Sequence, residues 1–246
     1  MSDRFERLME IVDAAREREL VLRALGGVAI HMHTRARGAQ LRELGPEADL
    51  DLATRGRHGE RVEKLLAELG YQPNVEFNAL QGHRRLLFYG DDFPQIDVFV
   101  DRFTMCHELD LSKRLDRDPY TLSPADLALT KLQVHELTRK DALDVLSLLL
   151  AFGPDRDALE PAELTAVLAD DWGFYTTVMD NLEHLQTAAT EYVPAARVSE
   201  ARARVEQLRE TLESAPKSLR WKMRARVGRR MVWYELPEEN EFAHAG

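Results

Sequence analysis

The stretch Ala48-Asp49-Leu50-Asp51-Leu52-Ala53-Thr54 alternates carboxylates with leucines. Successive side chains of a β-strand point to opposite faces, so Asp49 and Asp51 would share one face and Leu50 and Leu52 the other. Two carboxylates so spaced stand about 7 Å apart, a separation that suits a pair of divalent cations about 4 Å apart. A half-exposed edge strand alternates in the same way, so the pair alone decides nothing. Its neighbours in the chain give it meaning.

Upstream, Val21, Arg23 and Leu25 alternate with Leu22 and Ala24 in a short strand that ends at Gly26-Gly27. A backbone without side chains can approach a phosphate there. The first amides of the next helix, through VAIHMHTRA, would supply donors and the positive end of a dipole. A tight turn is the other use of two glycines. Downstream, RRLLFYG and QIDVFVD flank DDFP as the arms of a hairpin, with Asp97 framed by Ile96 and Val98. Asp97 would close the carboxylate set and help to deprotonate an acceptor hydroxyl. Mg²⁺ takes few protein carboxylates and leaves its other positions to water and phosphate oxygens. The Walker pattern G-x-x-x-x-G-K-[ST] and the dinucleotide fingerprint G-x-G-x-x-G are both absent from the sequence.

Around these segments the elements interleave up to about residue 102. Phe5, Leu8, Ile11, Val12 and Ala15 share one face of an opening helix, with Ser2 as its expected N-cap. Val62, Leu65, Leu66 and Leu69 mark a helix ended by Gly70, and RGAQLRELGPEA reads as a loop. Beyond residue 120 the helical period takes over. SPADLALTKLQVHEL opens on Ser123 and Pro124, and a second helix runs from about Arg139 to Ala151, stopped by Gly153-Pro154. Further helices are expected over about 161–169, 173–188, 198–214 and 218–232. The pattern predicts an α+β catalytic part followed by helices.

Length and composition bound the function. A chain of 246 residues with 44% hydrophobic content can bury a full core. No stretch approaches the roughly 20 apolar residues of a membrane span, and MSDRFERLMEIVDAARERE is too charged for a signal peptide, which predicts a cytoplasmic protein with no membrane partner. The lone Cys106 agrees with a reducing compartment, leaves no disulfide framework or thiolate zinc cluster, and is expected as a small buried hydrophobe. The formal net charge of −10 argues against a surface built throughout for nucleic acid. The basic stripe is KSLRWKMRARVGRR, from Lys217 to Arg230, where Leu219, Met223, Val227 and Met231 recur at helical spacing. It is expected to dock on the body of the protein or across the cleft, with contact to an RNA backbone as the alternative. Trp221, Trp233 and Tyr234 are expected as packing anchors.

LGGVAI, ADLDLAT and QIDVFVD together resemble the DNA polymerase β-type nucleotidyltransferase superfamily, whose pattern is a Gly-Gly or Gly-Ser turn, D-x-D on a strand and a later third acidic residue. ADLALTKLQVHELTRKDALDVLSLL is similar to the lysine-plus-aspartate segment of its AbiEii-like branch, known for toxin members of toxin–antitoxin and phage-resistance systems. The similarity spans about residues 20 to 150. It implies a nucleotidyltransferase fold, with a mixed β-sheet flanked by helices as a catalytic core over 1–120. A helical region over 121–246 would complete the nucleotide site and pack on the core. Asp49 and Asp51 would bind metal, with Asp97 completing the triad, and Gly26 and Gly27 would line the triphosphate. Lys131 matches the lysine that holds triphosphate oxygens, and Asp141 and Asp144 match the trailing acidic positions, Asp144 the better of the two. The implied cofactor is Mg²⁺, with Mn²⁺ as its alternative.

The implied activity is transfer of a nucleoside monophosphate from a nucleoside triphosphate to an acceptor: RNA or tRNA, a protein, or a small hydroxylated molecule. The toxin branch also brings an antitoxin partner into view. The rival is the same fold retained as a non-catalytic nucleotide-binding or partner-binding module. Two features differ from the family pattern. Val28 follows the Gly-Gly turn where many members carry a hydroxyl, and Arg35, Arg37 and Arg42 lie in a long loop, where they read as solvated charge. Without the resemblance, Lys131 would read as a solvated helix lysine and Asp144 as an exposed i,i+4 partner of Lys140. His31 and His33, two apart on a helix, face different sides and are not expected to be metal ligands.

Overall fold

Leu50 and Leu52 are fully buried, and the strand they anchor sits at the second position of a five-stranded sheet. The computed structural model describes residues 4–153, 159 and 161–236. Ser2, Pro154 and the acidic tail beyond Leu236 lie outside the described residues. The first part of the chain runs α1 (Arg4–Glu17), β1 (Leu22–Leu25), α2 (Gly26–Arg35), β2 (Leu50–Thr54), α3 (Gly59–Glu68), β3 (Gln72–Pro73), α4 (Val75–Gln81), β4 (Arg85–Tyr89) and β5 (Ile96–Val100). A small hairpin, β6 (Arg102–Thr104) and β7 (Glu108–Asp110), follows.

The sheet order is β1-β2-β5-β4-β3. β2 is antiparallel to β1 and parallel to β5, while β4 runs antiparallel to both β5 and β3. The fold is therefore α+β, with a mixed sheet flanked by helices. The expected hairpin is the β4/β5 pair. Hydrophobic periodicity does not mark α4, a seven-residue helix held by its cap, since the Asn74 side chain accepts from the Phe77 amide.

The second part is helical: α5 (Pro124–Leu132), α6 (Arg139–Ala151), α7 (Pro161–Leu168), α8 (Trp172–Tyr192), α9 (Val198–Ser214) and α10 (Leu219–Val227). Ser123, Thr138, Asp171 and Ser218 cap α5, α6, α8 and α10 by accepting from the amide three residues on. Each such cap stabilises its helix by about 1 kcal/mol. α5 ends at Leu132 and not at Leu137 as its periodicity suggested. The reason is tertiary: the Asn181 side chain donates to the carbonyls of Leu132 and Val134, at 2.8 and 2.7 Å. α10 also stops early, at Gly228, which takes a φ of +61°.

α6 is buried from Ala142 to Ala151 because it packs against α2, α5, α8 and α9 at once. One hydrophobic cluster runs from Leu8 to Leu212, through the sheet and the helices. Cys106 is buried, as its lone occurrence suggested. Trp233 and Tyr234 pack with His135 and Trp172, so the aromatic anchors of the C-terminal segment hold to the helical body. No helix among the described residues is long and apolar enough to cross a membrane.

Candidate active site

β2 and β5 are parallel neighbours, and their register places Asp51 beside Asp97, so the two carboxylates emerge on the same face of adjacent strands. Leu25, the last residue of β1, lies opposite Asp51 on the other side. The chain then turns at Gly26, whose φ of +69° is left-handed, and enters α2 at once. A methyl group on Gly26 would overlap Asp51 Oδ2 and lie 2.9 Å from its Cγ, so only glycine lets the turn sit directly against this carboxylate. Leu25 caps α2 without a side-chain acceptor. The opening amides of the helix are thus free of a capping side chain, the arrangement that attracts phosphate oxygens.

Asp51 carries the electrostatic mark of the site. Burial, and after it the charge of Asp97, push its carboxyl up from 3.8 to about 6. Asp97 is 3% exposed and compensated: Arg85 Nε donates to Oδ1 at 2.7 Å and Gln95 Nε2 to Oδ2 at 2.7 Å. Asp49 stands just before β2 and is exposed, its carboxyl raised by partial burial and by the charge of Asp97. The D-x-D pair therefore divides into an outer and an inner carboxylate. The inner one is paired in register with Asp97.

Lys131, at the end of α5, is 16% exposed at its side chain and lies 2.6 Å from Asp141 and 3.6 Å from Asp144. Burial opposes its charge, but Asp141 and then Asp144 outweigh burial and raise its pKa. Asp144 is 1% exposed and takes a two-pronged bond from Arg42, at 2.6 and 2.9 Å. Two expectations are corrected here. Arg42 is not a solvated loop charge, because its guanidinium neutralises a buried carboxylate, and Asp144 answers to Arg42 and Lys131 and not to Lys140. The Arg42 fork also lies under the turn, since a Cβ on Gly27 would stand 2.8 Å from Nη2. His31 sets Nδ1 3.1 Å from the Gly27 carbonyl and Nε2 2.6 Å from the Arg42 carbonyl, so the ring sits wedged between turn and loop with both nitrogens facing backbone oxygens.

Removing the fork should be costly. Arg42→Ala leaves Asp144 buried with Lys131 at 3.6 Å as its remaining cation. A broken buried pair destabilises by about 3 to 5 kcal/mol, and the residual lysine reduces this to about 2 kcal/mol. The expected melting temperature falls by about 4 to 8 °C. Unchanged thermal unfolding would show that the pair contributes nothing net.

These elements border a cleft of about 1150 Å³. Gly26, Asp51, Lys131 and Asp141 line it, as do Phe77, Arg85, Phe99 and Phe103 from the hairpin side. Arg85 lies over the rings of Phe77 and Phe99, 5.8 and 5.4 Å from their centroids. Asp97 and Asp144 lie behind this lining, and Asp49 stands outside it. The volume exceeds the roughly 300–1,000 Å³ of a small-ligand pocket, so it has room for a triphosphate and part of a second reactant.

Among the described residues, no group of three or more His, Cys, Asp and Glu side chains is gathered as a ready metal cage. The donor set nonetheless suits Mg²⁺ or Mn²⁺ bound together with a triphosphate, because Mg²⁺ needs only one or two carboxylates when phosphates and water complete its shell. Burial and the charge of Asp97 raise the Asp51 carboxyl, and a cation beside it would act in the opposite direction. Arg85 and Gln95 were not foreseen, although a signal existed. Once β4 and β5 pair with Leu87 opposite Asp97, Arg85 falls two residues along on the same strand face. Arg42 gave no such signal, because its partner lies 102 residues away.

Neither the protein-family models nor the curated proteins compared with this chain give a match.

Proposed function

We propose that the chain is a metal-dependent nucleotidyltransferase, moving a nucleoside monophosphate from a nucleoside triphosphate to an acceptor hydroxyl on RNA or tRNA, a protein or a small molecule. One observation carries this reading: Asp51 stands in register with Asp97 and directly against the Gly26 turn at the uncapped start of α2. The order Gly-Gly turn, D-x-D and later Asp, on which the resemblance rests, is thereby collapsed onto one end of the sheet.

The opening amides of α2 and the Lys131 ammonium hold triphosphate oxygens, the amides by direction and the lysine as a point charge. Asp51 and Asp97, with Asp49 just outside the cleft, would hold Mg²⁺ or Mn²⁺. The ion supplies charge neutralisation to the phosphates when bound. The acceptor oxygen bonds to the α-phosphorus, the bond from that phosphorus to the bridging oxygen breaks, and pyrophosphate leaves. Asp97 is the residue the resemblance offers for the hydroxyl proton. Its oxygens accept from Arg85 and Gln95, so that role requires one of them to turn away. Arg42 acts at one remove, holding Asp144 and through it Lys131.

Lys131→Met should weaken triphosphate binding by about ten- to a hundred-fold, the worth of one charge-assisted hydrogen bond. Calorimetric titration with each nucleoside triphosphate and Mg²⁺ measures it, and an unchanged Kd would remove Lys131 from the site. A non-catalytic module is the second reading, favoured by one observation: both Asp97 oxygens already have protein partners. It predicts nucleotide binding with no pyrophosphate release. Incubating the protein with labelled triphosphates, Mg²⁺ and total cell RNA or lysate separates the two, and a labelled band identifies the acceptor class.

A further inference from the structure

No residue of α10 is buried, yet the helix is firmly seated on one side. Trp221 meets Tyr175 edge-on with ring centroids 5.3 Å apart, and Arg224 lies over Trp172 at 4.6 Å. At 100° per residue, Leu219 and Met223 emerge away from these two contacts, with Val227 at the edge of that face, about 60° from Arg224. They are 74%, 59% and 37% exposed, and Met231, Val232 and Leu236 beyond the helix are exposed as well. Lys222 and Arg226 run along one flank of this stripe and Arg220 along the other. Among the described residues Lys222 and Arg226 form no ion pair, and Arg220 reaches Asp170 at 3.6 Å. The result is an apolar ridge between two cationic rims.

We propose that this surface docks an acidic amphipathic α-helix of a partner protein. The partner's apolar face would lie on Leu219, Met223 and Val227, with its carboxylates against Lys222, Arg226 and Arg220. Charge and shape select this occupant. An RNA backbone would use the cations and leave the apolar stripe unexplained. An anionic lipid surface is ordinarily gripped by exposed aromatic side chains, and the stripe exposes none because Trp221 faces inward. Met and Arg are the side chains enriched at protein interfaces, and methionine adapts its shape to a partner ridge. Helix-on-helix packing seats such i, i+4, i+8 ridges in the grooves of a facing helix. One helix face is smaller than the roughly 800 Å² per partner of a stable complex, so the association should be reversible.

The full-length protein is titrated with a labelled synthetic helical peptide carrying leucines along one face and glutamates on both flanks. The same peptide with lysines, a single-stranded RNA, and phosphatidylcholine vesicles with and without phosphatidylserine run in parallel. Expected is saturable binding of the acidic peptide alone, weakening as salt is added. Met223→Ser and Arg226→Glu should each lower its affinity at least about ten-fold, and since both side chains are exposed, their thermal unfolding should match the wild type. Equal binding by wild type and variants, no binding of the acidic peptide, or preference for RNA or anionic vesicles would overturn the proposal. So would self-association of the chain that Met223→Ser abolishes.

Discussion

Asp51→Asn should abolish turnover while making the protein more stable. Nucleotide-dependent pyrophosphate release is expected to fall by about a thousand-fold, equivalent to about 4 kcal/mol of transition-state stabilisation. The amide keeps the shape of the carboxylate and loses the charge that holds the metal. Stability moves the other way because Asp51 is a burden to the folded chain in metal-free buffer. Its carboxyl is raised from 3.8 to about 6 when folded, by burial and by Asp97. Below about pH 4 the group is protonated in both states and costs nothing. Between about pH 4 and pH 6 it ionises in the unfolded chain first, and stability falls as pH rises. Above about pH 6 the full penalty, on the order of 3 kcal/mol, is present. Asp51→Asn should therefore melt higher than the wild type at pH 8 with a chelator present, and the advantage should vanish near pH 4. Adding Mg²⁺ with a triphosphate should close the gap by stabilising the wild type alone. A variant that melts lower at pH 8, or one that retains activity, would contradict this account of Asp51.

Gly26→Ala tests the same point from the other side of the contact. Alanine at a φ of +69° costs about 1 kcal/mol for the left-handed backbone. Its methyl group also enters the space of the Asp51 carboxylate, with Asp51 Cβ 3.2 Å behind it. Either the turn opens or the carboxylate moves. A displacement of about 1 Å at a reacting centre costs about a hundred-fold, so pyrophosphate release should drop by at least that factor. Gly27→Ala is the control. Its methyl meets Arg42 Nη2 at 2.8 Å and does not approach Asp51, so it should disturb the Arg42–Asp144 fork and lower stability, with a much smaller loss of pyrophosphate release. Equal effects of the two substitutions would show that the turn acts through general flexibility and not through Asp51.

Much of this was legible in the chain. The period of two in ADLDLAT and QIDVFVD fixed which face each aspartate would take, and Leu50, Leu52, Ile96 and Val98 are all fully buried as that period requires. Caps carried the helices: Ser123-Pro124 opens α5 where expected. What could not be read was adjacency between distant segments. No pattern says that β2 and β5 are parallel neighbours, and their register, not the D-x-D spacing, brings Asp51 to Asp97. The partners that neutralise the site are long-range for the same reason. Arg42 sits in a loop without a period, and Asn181, which cuts α5 short, lies on another helix. The basic stripe showed the opposite limit. Its composition gave the ridge and rims, while the packing of Trp221 and Arg224 on α8 decided which side remains exposed.

The most direct test of the central claim is pyrophosphate release by the wild type and by Asp51→Asn, with each nucleoside triphosphate in turn, Mg²⁺ or Mn²⁺, and total cell RNA and protein as acceptors. The account predicts release by the wild type with at least one triphosphate, accompanied by label transfer to an acceptor, and none above background by Asp51→Asn. Equal release by both proteins, or nucleotide binding by both with release by neither, would contradict it.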